Sequence, residues 1–104
     1  MNILFVCSRN KWRSATAETI FKNHPNHQVR SAGTAPSARI KLTAKHISWA
    51  DIIFVMEKKH KQQIAEKFNS QLIASMIVLD IPDDYQYMDE ELIDELTAKV
   101  SSYL

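Results

Sequence analysis

The chain has 104 residues, 45% of them hydrophobic and 24% charged, and a net charge of +1. These values are typical of a small globular protein, and we expect a single domain over residues 1–104. The low net charge argues against a nucleic-acid partner. No apolar stretch approaches the roughly 20 residues that cross a bilayer, so we expect no membrane partner. One cysteine, which permits no internal disulfide, and a start without signal-peptide features predict a cytoplasmic location. The sequence leaves the oligomeric state unknown.

Apolar runs and amphipathic stretches alternate along the chain. The apolar runs predict four strands, at residues 2–6, 28–31, 52–56 and 76–79. The amphipathic stretches predict four helices, at residues 13–23, 41–47, 58–68 and 89–104. Alternation of this kind favours a three-layer α/β fold, with a central four-stranded parallel sheet and helices on both faces. The only glycine, Gly33, is expected to mark a turn with unusual backbone dihedrals.

The segment between the first strand and the first helix carries a pattern typical of anion binding. Cys7 directly follows the strand, and Arg13 begins the helix after five intervening residues. A loop closed over this distance can point its N–H groups inward, with a helix N-terminus behind it. The thiol of Cys7 would lie at the bottom, and the fork of Arg13 would hold two phosphoryl oxygens. Ser14 offers a hydroxyl to the thiolate, and Asn10 tolerates a left-handed conformation inside the loop.

Simpler interpretations of the same residues remain open. A cysteine after a strand is often only a small buried hydrophobe. A cysteine and an arginine also fall at this spacing by chance. The strand before the loop and the helix after it favour the anion site, because α/β proteins place such sites there.

Four segments resemble, in order, conserved motifs of the low-molecular-weight protein tyrosine phosphatases, and more closely a short bacterial-type branch related to them. The loop with Arg13-Ser14 and the following Ala17-Glu18 resembles the signature C-x-G-N-x-C-R-S…A-E. Residues 31–34 resemble an S-A-G-T turn, residues 50–60 an A-D-x-I-x-x-M-x-x-x-H stretch, and residues 82–85 a D-P-Y loop. Together they cover most of the chain.

The resemblance implies a cysteine-dependent phosphomonoester phosphatase, in the first place a protein tyrosine phosphatase, that uses no cofactor. Cys7 would form a phosphocysteine intermediate, and Arg13 would stabilise the transferred group. Asp83 is the first choice for the general acid, followed by Asp84 and Asp80. The substrate-binding residues would be those of the loop, namely Ser8, Arg9, Asn10, Lys11, Trp12 and Ser14. The substrate would be a phosphorylated protein or a small phosphomonoester. The four histidines form no cluster with metal-ligand spacing, so no metal is expected.

The chain also departs from the family pattern around the substrate slot. Arg9 replaces a loop glycine, Trp12 replaces a second cysteine, and Lys11 replaces a residue that lines the slot. Stretches near residues 36–39 and before Trp49 are shortened.

These departures keep two alternatives open. One is a catalytically weak relative that binds phosphate or a phosphoprotein. The other is an arsenate reductase that uses an external thiol, because a lone cysteine excludes an internal relay.

Overall fold

The structure, a computed structural model, describes residues 1–68 and 75–104. Its elements in chain order are β1 (Asn2–Cys7), α1 (Arg13–Phe21), β2 (Gln28–Gly33), α2 (Ala44–Trp49), β3 (Ile52–Val55), α3 (Lys58–Lys67), β4 (Ser75–Val78) and α4 (Glu90–Val100), followed by a 3₁₀ turn over Ser101–Tyr103. None of the helices in these two ranges is long and apolar enough to cross a membrane.

The four strands form one parallel sheet in the order β2-β1-β3-β4. Strand β1 is central, so its residues 3–7 are buried. Because side chains alternate along a strand, Ile3 and Phe5 face one side of the sheet, and Leu4 and Val6 face the other. The first side packs against Ala17 of α1 and Leu92, Leu96 and Val100 of α4, and the second against Ile47 of α2 and Ile64 of α3. The predicted three-layer fold, with a four-stranded parallel sheet and helices on both faces, is confirmed.

The second helix lies later in the chain than the sequence predicts. It spans Ala44–Trp49 rather than residues 41–47. Lys41 instead forms an isolated parallel bridge with Gly33, and the Leu42 N–H donates to the Gly33 carbonyl at 2.9 Å. Thr43 then caps the helix in a capping box with His46. A long-range backbone pairing therefore outweighs local helix propensity at residues 41–43.

Gly33 has a different role from the predicted one. No glycine has a positive φ, so unusual dihedrals are not the reason for it. A Cβ atom at this position would lie 2.5 Å from the Ser8 carbonyl oxygen and 2.6 Å from the Ala38 Cβ. Glycine is required here because the backbone that follows β1 passes directly against the end of β2.

Candidate active site

A cavity of about 190 Å³ opens at the edge of the sheet where the parallel strands end. Its lining consists of Cys7, Ser8, Arg9, Lys11, Trp12, Arg13 and Asp83. Cys7 is the last residue of β1, and Arg13 is the first of α1, so the helix N-terminus lies directly behind the loop. Asp83 comes from the segment after β4. The loop and the Asp83 segment meet here because ligand sites of open α/β sheets form at the carboxyl ends of the strands.

The Cys7 sulfur has two hydrogen-bonding neighbours, Asn10 and Ser14. The Asn10 backbone N–H donates to Sγ at 3.3 Å, and Ser14 Oγ lies 3.0 Å from Sγ. Asn10 Nδ2 donates to Ser14 Oγ at 2.7 Å, and the serine hydroxyl can still donate its hydrogen to the sulfur when Cys7 is a thiolate. Cys7 is 3% exposed, so this sulfur is sheltered but accessible from the cavity.

Asn10 and Ser14 lie behind the sulfur rather than on the cavity wall. Both are fully buried, and the Asn10 backbone N–H already donates to the sulfur. Asn10 has φ 57°, which confirms the expected left-handed conformation. Arg9, at the position of the family's glycine, does not have a positive φ. The arginine therefore fits the loop without backbone strain.

The Arg13 side chain is 2% exposed and anchored by its Nη1 atom. Nη1 donates to Glu57 Oε2 at 2.6 Å and to the Ile81 carbonyl at 2.8 Å. In the described part of the chain its side-chain hydrogen bonds all come from Nη1, so the edge formed by Nε and Nη2 is the one left for an oxyanion. Burial alone would raise the pKa of Glu57, but the hydrogen bond and charge of Arg13 outweigh it and lower that pKa. Glu57 is thus an ionised anchor at neutral pH.

Of the three aspartates considered from the sequence, Asp83 lines the cavity. Its Oδ1 lies 3.6 Å from Arg13 Nε, and its side chain is 52% exposed. Asp84 is exposed and does not line the cavity. Asp80, with φ 54°, lines a separate cavity beside Ile81. The Asp83 carboxylate and the Nε–Nη2 edge of Arg13 therefore border the same cavity.

Sequence reasoning missed two residues at this site, Glu57 and His60. His60 is fully buried, and its Nε2 lies 2.9 Å from Ser8 Oγ. The Glu57 N–H donates to His60 Nδ1 at 3.1 Å, so the ring proton is on Nε2 and is donated to Ser8. Burial first, and then the charge of Arg13, lower the pKa of His60 to about 4. The signal was available, since Glu57 follows a strand end and His60 stands three residues later, the spacing of a capping box.

The outer wall of the loop is fixed by residues after β2. The Arg39 N–H donates to the Arg9 carbonyl at 3.0 Å, and Arg39 Nε donates to the Asn10 carbonyl at 3.0 Å. Arg30 instead stacks on Trp49, with its guanidinium carbon 4.3 Å from the ring centroid. Of these two arginines, Arg39 therefore lies beside the loop.

Comparisons with known proteins agree with this geometry. Residues 2–47 match the family described as low molecular weight phosphotyrosine protein phosphatase. The protein-arginine-phosphatase of Bacillus subtilis (strain 168) is 35% identical over an alignment of 95 residues that covers 65% of this chain and 63% of that protein. The chain therefore spans less than two thirds of that relative.

Two solved structures are similar over nearly the whole chain. Vibrio vulnificus Wzb in complex with benzylphosphonate has a TM-score of 0.77 and 26% identity, and the match covers 99% of this chain and 98% of that one. A YwlE mutant from Bacillus subtilis has a TM-score of 0.74 and 24% identity, with the same coverage.

A parallel sheet whose central strand ends in a cysteine, followed by an anion loop and an arginine at a helix N-terminus, is the arrangement of the cysteine-based phosphatases. In this arrangement and in its matched residues, the chain resembles the bacterial low-molecular-weight protein tyrosine phosphatases. The resemblance drawn from the four motifs is confirmed.

Proposed function

We propose that this chain is a cysteine-dependent phosphatase that hydrolyses phosphomonoesters, with phosphotyrosine as the reference substrate. One observation carries the proposal: the Cys7 sulfur, the free edge of Arg13 and the carboxylate of Asp83 all border a single cavity of about 190 Å³. A nucleophile, an oxyanion-binding group and an acid are the three parts that phosphoryl transfer through a cysteine requires.

In the first step, the Cys7 thiolate attacks phosphorus and forms the S–P bond. The P–O bond to the leaving group breaks, and Asp83 donates its proton to the departing oxygen. The loop amides and the Nε–Nη2 edge of Arg13 bind the equatorial oxygens, which carry the charge of the transition state. The products of this step are the free alcohol or phenol and phosphocysteine.

In the second step, water hydrolyses phosphocysteine. The Asp83 carboxylate accepts a proton from the water as its oxygen attacks phosphorus. The P–S bond breaks, inorganic phosphate leaves, and the thiolate returns to the hydrogen bonds of Asn10 and Ser14. The cycle needs Cys7 as a free thiol, which fits a reducing compartment such as the cytoplasm.

Phosphoarginine is the second candidate substrate, because the Bacillus subtilis relative is a protein-arginine-phosphatase. The charges at the cavity favour the phosphomonoester. Arg9 and Lys11 both line the cavity and are exposed, so they would repel a guanidinium carried by the substrate.

The test is phosphate release from p-nitrophenyl phosphate, phosphotyrosine and phosphoarginine, each with and without a chelator. We expect chelator-independent hydrolysis of the two esters and a lower kcat/KM for phosphoarginine. Cys7→Ser should abolish turnover and still bind vanadate, whereas the exposed control Ser101→Ala should match the parent chain. Activity that survives the loss of the thiol would refute the phosphocysteine mechanism. Vanadate binding by the parent chain without any turnover would instead support the binding relative.

A further inference from the structure

Two of the cationic side chains at the cavity have no charged partner among the described residues. Three cationic side chains and one carboxylate line it. The charge of Arg13 is already matched by Glu57 at 2.6 Å and approached by Asp83 at 3.6 Å. Arg9 and Lys11 are exposed and form no ion pair with any residue in the described ranges. Two cations at the mouth are therefore available to a ligand.

Lys11 lies between this cavity and a second one of about 400 Å³. The second cavity is lined by Lys11, Ala15, Glu18, Thr19, Arg39 and Tyr87. The only carboxylate among them, Glu18, accepts a hydrogen bond from Ser31. Arg39 is held in place by its Nε hydrogen bond to the Asn10 carbonyl. It forms no ion pair within residues 1–68 and 75–104.

We propose that the preferred substrates carry a second anionic group, a carboxylate or a second phosphate, that binds between Lys11 and Arg39. The inference rests on the proposed function, since the reacting phosphoryl group occupies the loop of Cys7. The two cavities share Lys11, so a substrate that extends from the first toward the second brings its next group to this lysine. An anion there is attracted by two cations, whereas a neutral group of the same shape is not.

Binding tests the inference without requiring turnover. The probes are 3-carboxybenzylphosphonate and its neutral counterpart 3-carbamoylbenzylphosphonate, titrated into the full chain by calorimetry. We expect the carboxylate to bind about three- to tenfold more tightly, the range of one or two partly exposed ion pairs. The preference should shrink as ionic strength rises. It should be clearly smaller in Lys11→Met, which leaves Arg39 alone to attract the anion, and should persist in Lys22→Met, an exposed lysine at the far end of α1.

Hydrolysis then identifies where the second anion comes from. One pair of substrates is 3-carboxyphenyl and 3-carbamoylphenyl phosphate, and the other is a phosphotyrosine peptide with glutamate or glutamine beside the phosphotyrosine. For each pair, kcat/KM for the anionic substrate is divided by kcat/KM for the neutral one. This ratio is compared between the parent chain and Lys11→Met, so differences in the leaving group cancel. A Lys11-dependent preference in the first pair alone assigns the anion to a small ester. A preference in the peptide pair alone assigns it to a protein.

The outcomes separate this inference from the proposed function. If phenyl phosphate is hydrolysed but neither binding nor hydrolysis distinguishes the paired probes, the second anion site is refuted and the phosphatase stands. If no ester is hydrolysed but the carboxylate probe binds more tightly in a Lys11-dependent way, the site stands and the phosphatase assignment fails.

Discussion

Arg13 Nη1 lies 2.6 Å from Glu57 Oε2, and the two residues are 44 positions apart in the chain. This ion pair joins the start of α1 to the residue just before α3. It uses one side of the guanidinium and leaves the Nε–Nη2 edge facing the cavity. Under the proposed function, Glu57 positions the arginine that binds the oxyanion.

Removing the charge of Glu57 should loosen Arg13. In Glu57→Gln we expect kcat for phenyl phosphate to fall about tenfold or more, because a less rigidly held Arg13 guanidinium stabilises the transition state less well. The free energy of unfolding at pH 7 should fall by about 1–2 kcal/mol, since Glu57 is one-third exposed and solvent weakens the ion pair. Steady-state kinetics and urea denaturation measure the two effects.

The matched control is Glu66→Gln, an exposed glutamate on α3. It should leave both quantities unchanged. If Glu57→Gln behaves like this control, the ion pair has no positioning role.

Asp83→Asn should make the rate depend more steeply on the basicity of the leaving group. A general acid matters most when the departing oxygen is basic, so phenyl phosphate should slow by about 10² to 10³-fold. p-Nitrophenyl phosphate should change little, because its leaving group departs readily as an anion. The alkaline limb of the pH profile should also disappear. The measurement is kcat/KM across a series of substituted aryl phosphates.

Asp84→Asn and Asp80→Asn are the neighbouring controls for this experiment. Neither side chain lines the catalytic cavity, so both slopes should match the parent chain. A steep slope in Asp84→Asn with a normal slope in Asp83→Asn would assign the acid to the next residue. Normal slopes in all three variants would leave the chain without an acid and favour a binding role.

His60 should make the fold less stable in mild acid. Its pKa is lowered from 6.5 to about 4 in the folded chain, by burial first and by Arg13 second. His60 therefore binds a proton more readily in the unfolded chain than in the folded chain. The contribution of neutral His60 to the free energy of unfolding is fully present above pH 6.5 and is lost as the pH falls toward 4. The loss is roughly 3 kcal/mol, since each tenfold change in proton affinity corresponds to about 1.4 kcal/mol.

Urea denaturation of the parent chain and His60→Gln at pH 7, 6, 5 and 4 tests this dependence. The variant should be less stable at pH 7 and should lose less stability on acidification. Burial first, and then the charge of Arg30, also lower the pKa of His46, but that residue is common to both proteins. Parallel stability curves for the two proteins would show that His60 does not carry the effect.

Gly33→Ala should displace the catalytic loop. The added Cβ would meet the Ser8 carbonyl oxygen at 2.5 Å, which is backbone and cannot rotate away. Overpacking of this kind lowers the free energy of unfolding by about 1–3 kcal/mol, and we expect kcat to fall with it. Thermal denaturation and steady-state kinetics provide the readouts.

A second variant shows which contact matters at Gly33. Adding Ala38→Gly removes the side chain that the new Cβ would meet at 2.6 Å, but the Ser8 oxygen remains. The double variant should therefore stay impaired, whereas the exposed control Ser37→Ala should be unaffected. Full recovery in the double variant would place the conflict at Ala38 instead of the loop.

Local patterns predict the features that depend on nearby residues. The run at residues 3–6 predicts a buried strand because every side chain is apolar, and it forms the centre of the sheet. The left-handed Asn10 follows from its own side-chain chemistry. The start of α2 was misplaced because residues 41–42 pair with Gly33, a contact that local propensity does not register.

The sequence by itself determined the strand, the loop from Cys7 to Arg13, the helix behind it and the family resemblance. These features lie within about fourteen consecutive residues or within ordered motifs, so short-range sterics and spacing specify them. Only the tertiary structure decided which distant groups complete the site. The parallel pairing of Val6 with Val55 brings Glu57 and His60 beside the loop, and the segment after β4 brings Asp83 to Arg13. Strand order and register determine which of these residues come into contact. Both arise from packing across the whole sheet rather than from any local pattern.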